Sequence, residues 1–181
     1  AVIGNSTSGV GAGVKVTNIE DGIIENCLFI DNQGADIGAG VFAVGDGSIV
    51  FRNNIVSDNI GGGVAGSASN LTFDYNNIFN NSGSDYEGFT PGMHDISMDP
   101  MLNASYELLL HSPCLDSGDP AINDPDGSCS NIGFVGGPGA MSAAPSFVAD
   151  ATLTDNGTSV QLKWTPNSEG DISQYVIYSG N

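Results

Sequence analysis

Basic side chains are almost missing from this chain. Lys15, Arg52 and Lys163 stand against 21 acidic residues, and the net charge is −18. Phosphate backbones are bound by clustered Lys and Arg, which argues against nucleic acid as a partner. A polyanionic glycan such as pectate would be repelled too, unless a metal ion bridged it. Charge of any sign is sparse, at 13% of residues, and hardly any stretch shows the period of an amphipathic helix. Long apolar runs are also lacking. None approaches the ~20 residues that cross a bilayer, which argues against membrane insertion, and no secretory leader pattern opens the chain. Cys27, Cys114 and Cys129 contain no CxxC spacing, which argues against a zinc site.

Glycine is abundant, at 26 residues. Few charges with many Gly, Asn and Ser favour turns and short strands. Hydrophobic residues reach 40%, enough for a core and too many for a disordered chain. The acidity reads first as solubility outside the cell.

A repeat organises the first half. Gly13, Gly40 and Gly63 each close a glycine-rich triplet and precede a valine. The first two are 27 residues apart and the next two 23, with the extra four in the loop after Asn32. Downstream, the segments 24–32, 51–59 and 74–82 align. Their columns read Asn26/Asn53/Asn76, Cys27/Asn54/Asn77, Leu28/Ile55/Ile78, Phe29/Val56/Phe79 and Asp31/Asp58/Asn81. Glu25, Arg52 and Tyr75 share a further column, so Glu25 and Arg52 are placed for an ion pair across rungs about 4.8 Å apart. Asn5 precedes Gly11 as Asn32 precedes Gly38, which aligns the segment from Ala1 to Ile3 with Leu28 to Ile30 and starts the chain inside a strand. Repeats of this length, each with one apolar face, must stack to bury a core.

This pattern resembles the right-handed parallel β-helix of pectate-lyase-like extracellular proteins, over residues 1 to about 110. The resemblance implies an all-β fold of about four coils, with asparagines stacked at a bend and their amides bonded along the stack. The asparagine replaced by Cys27 in its column then makes that residue a packed thiol.

Residues 83–139 carry an ordered series of motifs: Asp95–Ile96–Ser97, Asp99–Pro100, SPCLDSGDP (112–120), DPDGS (124–128) and Gly136–Gly137–Pro138. This succession resembles the C-terminal cap of secreted bacterial β-helix repeat proteins. Cys129 departs from the arginine common there, and Phe134–Val135 from Ala–Tyr. A lost arginine implies a lost internal ion pair, with a Cys114–Cys129 bond as one replacement. Residues 140–146 read as a linker. Residues 147–181 alternate as half-buried strands should, with Val160, Leu162 and Trp164 on one side and Asn156–Gly157 as a hairpin turn. The run 160–178 resembles the first strands of a fibronectin type III domain, with Trp164 in its core position and Tyr175 on the third strand. A whole sandwich needs about 100 residues, so the segment is incomplete. The expected organisation is a β-helix with cap over 1–139, a linker over 140–146 and a partial β-sandwich over 147–181.

Chemistry is thinly signalled. The acidic loop of Asp116, Asp119, Asp124 and Asp126 is the best metal candidate, and Asp119, Asp124 and Asp126 form the candidate set for Ca²⁺. Two carboxylates two residues apart before Gly127 suit hard oxygen coordination; the alternative is an Asx-turn loop without metal. In the coils, Arg52 with Asp31, Asp58 or Asp74 is the available set for a lyase, although arginine is hard to deprotonate. Asp31 and Asp58 share a column and make a candidate carboxylate pair for a glycosidase, or turn residues that recur with the fold. His94 and His111 are isolated and read as structural. The function expected is a non-catalytic extracellular or cell-surface module for adhesion, polysaccharide contact or assembly, self-associating through open strand edges or joined to neighbouring domains. A polysaccharide lyase or glycoside hydrolase of the same fold is the alternative.

Overall fold

The computed structural model describes residues 1–140 except positions 19 and 36, and residues 152–155 and 160–164. In chain order the strands are β1 (Val2–Ile3), β2 (Val14–Thr17), β3 (Asp21–Glu25), β4 (Leu28–Ile30), β5 (Val41–Arg52), β6 (Ile55–Ser57), β7 (Val64–Asp74), β8 (Asn77–Phe79), β9 (Tyr86–Glu87), β10 (Thr152–Asp155) and β11 (Val160–Lys163). Strands β1, β4, β6 and β8 form one parallel sheet in that order. A second parallel sheet runs β2, β5, β7, β9, with β3 also beside β5. A narrow third ladder is made of parallel bridges from Ser6 through Gln33 and Ile60 to Ser82. In this part of the chain each strand pairs with its counterpart one coil away, so the chain winds as a parallel β-helix, as expected from the repeat.

The first two coils keep one register, with Val2 opposite Phe29, Val14 opposite Val41 and Glu25 opposite Arg52. The third does not. Val41 faces Val64, but a bulge between Gly45 and Ser48 drops one residue, and beyond it Arg52 faces Asp74. The third-coil columns read from the sequence are therefore one residue out after the bulge. Val56 lies over Ile78 and Ser57 over Phe79, Asn54 bonds to Asn76, and Asp58 bonds to Asn80. Tyr75 does not belong with Glu25 and Arg52; Asp74 does. Both alignments place asparagine over asparagine, so composition cannot choose between them. Burial chooses, because a one-residue slip turns every side chain to the other face of its strand.

Two asparagine ladders run along the stack. In one, the backbone N–H and side-chain amide of Asn54 both donate to Asn76 Oδ1, and those of Asn76 both donate to Asp95 Oδ1; the Cys27 N–H donates to Asn54 Oδ1. In the other, Asn5, Asn32, Asn59 and Asn81 each donate twice to the next residue, ending on Asp85. The asparagine stacking that the resemblance implied is thus present, in two columns. The repeated glycines face the second ladder. A Cβ on Gly40 would sit 2.8 Å from the Gly63 carbonyl oxygen and 3.0 Å from the Asn59 amide nitrogen. A Cβ on Gly63 would sit 2.7 Å from the Asp85 carbonyl oxygen and 2.8 Å from the Asn81 amide nitrogen. At Gly13 the Gly40 carbonyl stands in the same place. The column is glycine because the next coil's backbone fills the space a side chain would need.

Inside the coils Phe51 lies over Phe73 in register, their ring centroids 5.1 Å apart; Phe29 of the other sheet packs on Phe51 at 6.4 Å, and Tyr86 and Phe89 continue the row. Val41, Val56, Val64 and Ile78 pack around them. Leu28, Ile30 and Ile55 point the other way, from the outer face of the β4–β6 sheet, and are covered by Cys114 and Ile132 with Ile96, Leu102, Leu108 and Phe134 at the margin. The segment read as a cap thus lies along the wall of the stack. It is tied to the coils by Gly133 N–H to Asn53 O, by the Asn26 amide to Ser130 and Asn131, and by the Asn77 amide to Met98 O and Cys114.

Strands β10 and β11 make an antiparallel hairpin in which Leu153 faces Leu162. Leu162 and Trp164 are half-buried and Gln161 and Lys163 exposed, the alternation expected. The expected turn at 156–157, the linker at 141–146 and the strand around Tyr175 lie outside the described residues.

Candidate functional site

Strands β3, β5 and β7 end on Glu25, Arg52 and Asp74, one above another. The Arg52 guanidinium is held from two sides. Its Nε and Nη2 donate to Glu25 Oε2 at 3.0 and 2.9 Å, and Nη1 donates to Asp119 Oδ2 at 3.0 Å. The Glu25–Arg52 pair expected from the sequence is present, and the wall segment supplies a second carboxylate that sequence spacing did not reveal. Asp74 turns to His94 instead: Nδ1 lies 3.0 Å from both carboxylate oxygens, and the His94 N–H donates to Oδ1 at 2.9 Å. Partial burial pushes the Asp74 carboxyl up, but the hydrogen bonds and charge of His94 outweigh it and hold the group below its ordinary range.

The next residue in each coil takes a left-handed backbone: Asn26 at φ 47°, Asn53 at 54° and Tyr75 at 57°. Asparagine tolerates that conformation, whereas a bulky side chain there is an outlier. Asn26 and Asn53 hold the wall segment, and Asn53 Oδ1 accepts the Asp119 N–H. Tyr75 instead stacks on His94, with ring centroids 4.4 Å apart and planes 11° from parallel. Burial, with Asp74 and Asp119 nearby, pushes the Tyr75 phenol up. The ion group and the aromatic pair thus occupy one patch at the ends of β5 and β7, with Asp119 of the wall segment beside both. The sequence signal for this pair was hidden by the register slip, which placed Tyr75 in the wrong column.

The other predicted residues serve the backbone. Asp31 and Asp58 take left-handed turns at φ 57° and 56°, with Asn80 in the same place at 55°, and the Asn80 amide donates to Asp58 at 2.6 Å. Asp119 also accepts the Ala121 N–H, Asp124 accepts the Asn131 and Gly137 N–H groups, and Asp126 accepts Ser128 through both its N–H and its hydroxyl. Burial pushes Asp124 up despite those bonds, while the Ser128 bonds hold Asp126 down. Among the described residues no three acidic, His or Cys side chains converge on a metal-sized space. Asp116 and His111 also sit at positive φ, 50° and 73°.

All three cysteines are free thiols, so Cys114 and Cys129 do not pair. Cys114 is buried and accepts the Asn77 amide, and burial pushes its thiol up to about 11. The Cys129 thiol points to Gly118 O, and burial with three nearby aspartates pushes it up. Neither is an activated nucleophile.

A shallow open cleft of about 540 Å³ lies between Leu71–Phe73 and the Gly88–Gly92 loop. It borders the part of β7 that β9, pairing only with Val64 and Ala65, leaves without a further strand among the described residues. No helix among them is long and apolar enough to cross a membrane.

No curated protein and no solved structure matched this chain. A model of the right-handed β-helix region matches residues 1–94, more than half of the chain. Together with the coil-to-coil pairing and the stacked core, this makes the chain a member of the right-handed β-helix family.

Proposed function

We infer that this protein is a non-catalytic extracellular or cell-surface module that gives structural support and makes adhesive contact with polysaccharide. The engagement of Arg52 carries this reading. It is the one cation of the column that Glu25 and Asp74 share, and two edges of its guanidinium donate to Glu25 and Asp119. A base for lyase chemistry needs a group free to reach substrate, and the Nε, Nη1 and Nη2 atoms of this guanidinium are all engaged by carboxylates. Asp31 and Asp58, the proposed glycosidase pair, support turns. A surface of short polar turns on a stiff stack suits contact more than chemistry. Beyond Ala65, β7 has no further strand beside it among the described residues, which also fits self-assembly through an open edge, since an exposed edge accepts a further strand.

The second reading, a polysaccharide lyase or glycosidase, is favoured by one observation: the exposed Asp74–His94 pair, which has the contact of a base with its orienting carboxylate. Incubation with neutral and uronic-acid polysaccharides, followed by reducing ends and unsaturated products, tests the choice. No product with measurable binding is the expected result. Cleavage abolished by His94→Ala would replace the module reading with the enzymatic one. Calcium is carried forward as a proposed ligand of the loop with Asp119, Asp124 and Asp126, checked by titrating Ca²⁺ into chelator-treated protein while following its melting temperature and its size by light scattering.

A further inference from the structure

We propose that Tyr75 and His94 form the stacking platform of a binding site for a neutral hexopyranose unit of a polysaccharide, with Arg52, Glu25 and Asp119 as its hydrogen-bonding rim. The proposal rests on the adhesive reading above and names the site and the ligand class.

Tyr75 is the starting point because the fold does not call for it. Its two rung neighbours, Asn26 and Asn53, fill the same left-handed position with the residue type that tolerates it, and Tyr75 belongs to neither buried apolar cluster. An aromatic residue kept at φ 57° is strained locally, and such strain gathers at functional sites. The ring packs face to face on His94, whose side chain is 47% exposed. His94 is fixed in that plane by three contacts to Asp74. Each ring covers one face of the other, so a sugar ring packs on an outward face of the stack, where the C–H face of a pyranose gains dispersion against the aromatic face.

The rim favours a neutral polyol. Arg52, 30% exposed, lies within the same patch, because Asp119, which binds it, also donates its N–H to Asn53, the rung neighbour of Tyr75. Glu25 at 42% exposure and Asp119 at 18% add acceptors. Guanidinium and carboxylate groups at the edge of a ring bond vicinal hydroxyls as donors and acceptors. Two carboxylates against one guanidinium leave the rim with an excess negative charge, and the chain as a whole carries −18, so the patch offers no net positive field for a uronate. A cationic peptide finds Asp74 already committed to His94.

The test uses the full chain and its Tyr75→Asn and Tyr75→Phe variants. Tyr75→Asn installs the residue that the first two coils use at the same position, so it preserves the fold. Cellohexaose, laminarihexaose, maltohexaose and mannohexaose are titrated while the ring resonances of His94 and of residue 75 are followed by NMR; polygalacturonate and a lysine-rich peptide serve as charged probes. The expected result is that at least one neutral hexasaccharide shifts the His94 and Tyr75 signals, that Tyr75→Phe retains binding, and that Tyr75→Asn loses it by about tenfold or more with an unchanged or higher melting temperature. Equal binding by wild type and Tyr75→Asn would overturn the site while leaving the adhesive reading in place. Absence of any shift with all four neutral probes at millimolar concentration would overturn the proposal, as would tighter binding of either charged probe through Tyr75. A fall in melting temperature on Tyr75→Asn would assign the ring to the fold. Cleavage of a probe would instead overturn the non-catalytic reading, whatever Tyr75 does.

Discussion

Asn76 presents two donors, its backbone N–H and its side-chain amide, to a single oxygen of Asp95, at 2.8 and 2.9 Å. The other Asp95 oxygen accepts the Tyr86 hydroxyl and the Gly92 N–H, both at 2.8 Å. Asp95 is thus an acceptor-only terminus for a ladder whose members both give and take. Burial and this carboxylate push the Tyr86 phenol far up, so it stays a donor. Asp95→Asn would turn an NH₂ group toward one pair of these donors. A buried donor left unmatched costs about 1–3 kcal/mol, and a loss of that size in urea denaturation is the expected outcome.

Gly40 has no room for a methyl group. Val56 Cγ1 would lie 2.6 Å from it, with the Gly63 carbonyl oxygen at 2.8 Å. Overpacking a fixed interior costs about 1–3 kcal/mol, and here one obstruction is backbone. Gly40→Ala should fall at the upper end of that range, whereas Gly139→Ala, where nothing lies within 4 Å, should leave the denaturation midpoint unchanged.

The Asp74–His94 pair makes a pH prediction. Because His94 holds the Asp74 carboxyl below its ordinary range, its contribution is present above the unfolded carboxylate value of about 3.9 and disappears as pH falls through the lower native value. Both groups are well exposed, so the effect on stability is small. The direct measurement is the ¹³C titration of the Asp74 carboxyl. Its midpoint should lie below about 3.9 in the native protein and rise in His94→Ala.

Ser57 carries a buried hydroxyl that has no hydrogen-bond partner among the described residues. A hydroxyl held away from water without a bond is destabilising, so Ser57→Ala should raise stability by about 1 kcal/mol. An equal loss on thermal melting would mean that the hydroxyl has a partner in solution.

The stack was legible in the sequence because its causes are local and periodic. Gly13, Gly40 and Gly63 recur where the next coil's backbone excludes a side chain, and Asn5 aligned with Asn32 because the second ladder needs an amide in every coil. The four-residue excess lies in the loop after Asn32, between the Gln33–Ile60 bridge and the Val41–Val64 pairing, where extra residues disturb no strand. Much less of the site could be read. Arg52 and Glu25 were paired from their column, but Asp119 reaches Arg52 from 67 residues away, and no period links them.

What the sequence determined by itself is the fold class, because a repeat with one apolar face has no way to bury that face except by stacking. Tertiary structure decided the rest. The bulge between Gly45 and Ser48 set which third-coil residue lies over which, moving Asp74 under Arg52 and Tyr75 into the left-handed position. The wall segment, laid along the coils by contacts between residues about 100 apart, placed Asp119 beside the patch. Register after a bulge depends on which faces are buried, and burial belongs to the folded stack as a whole.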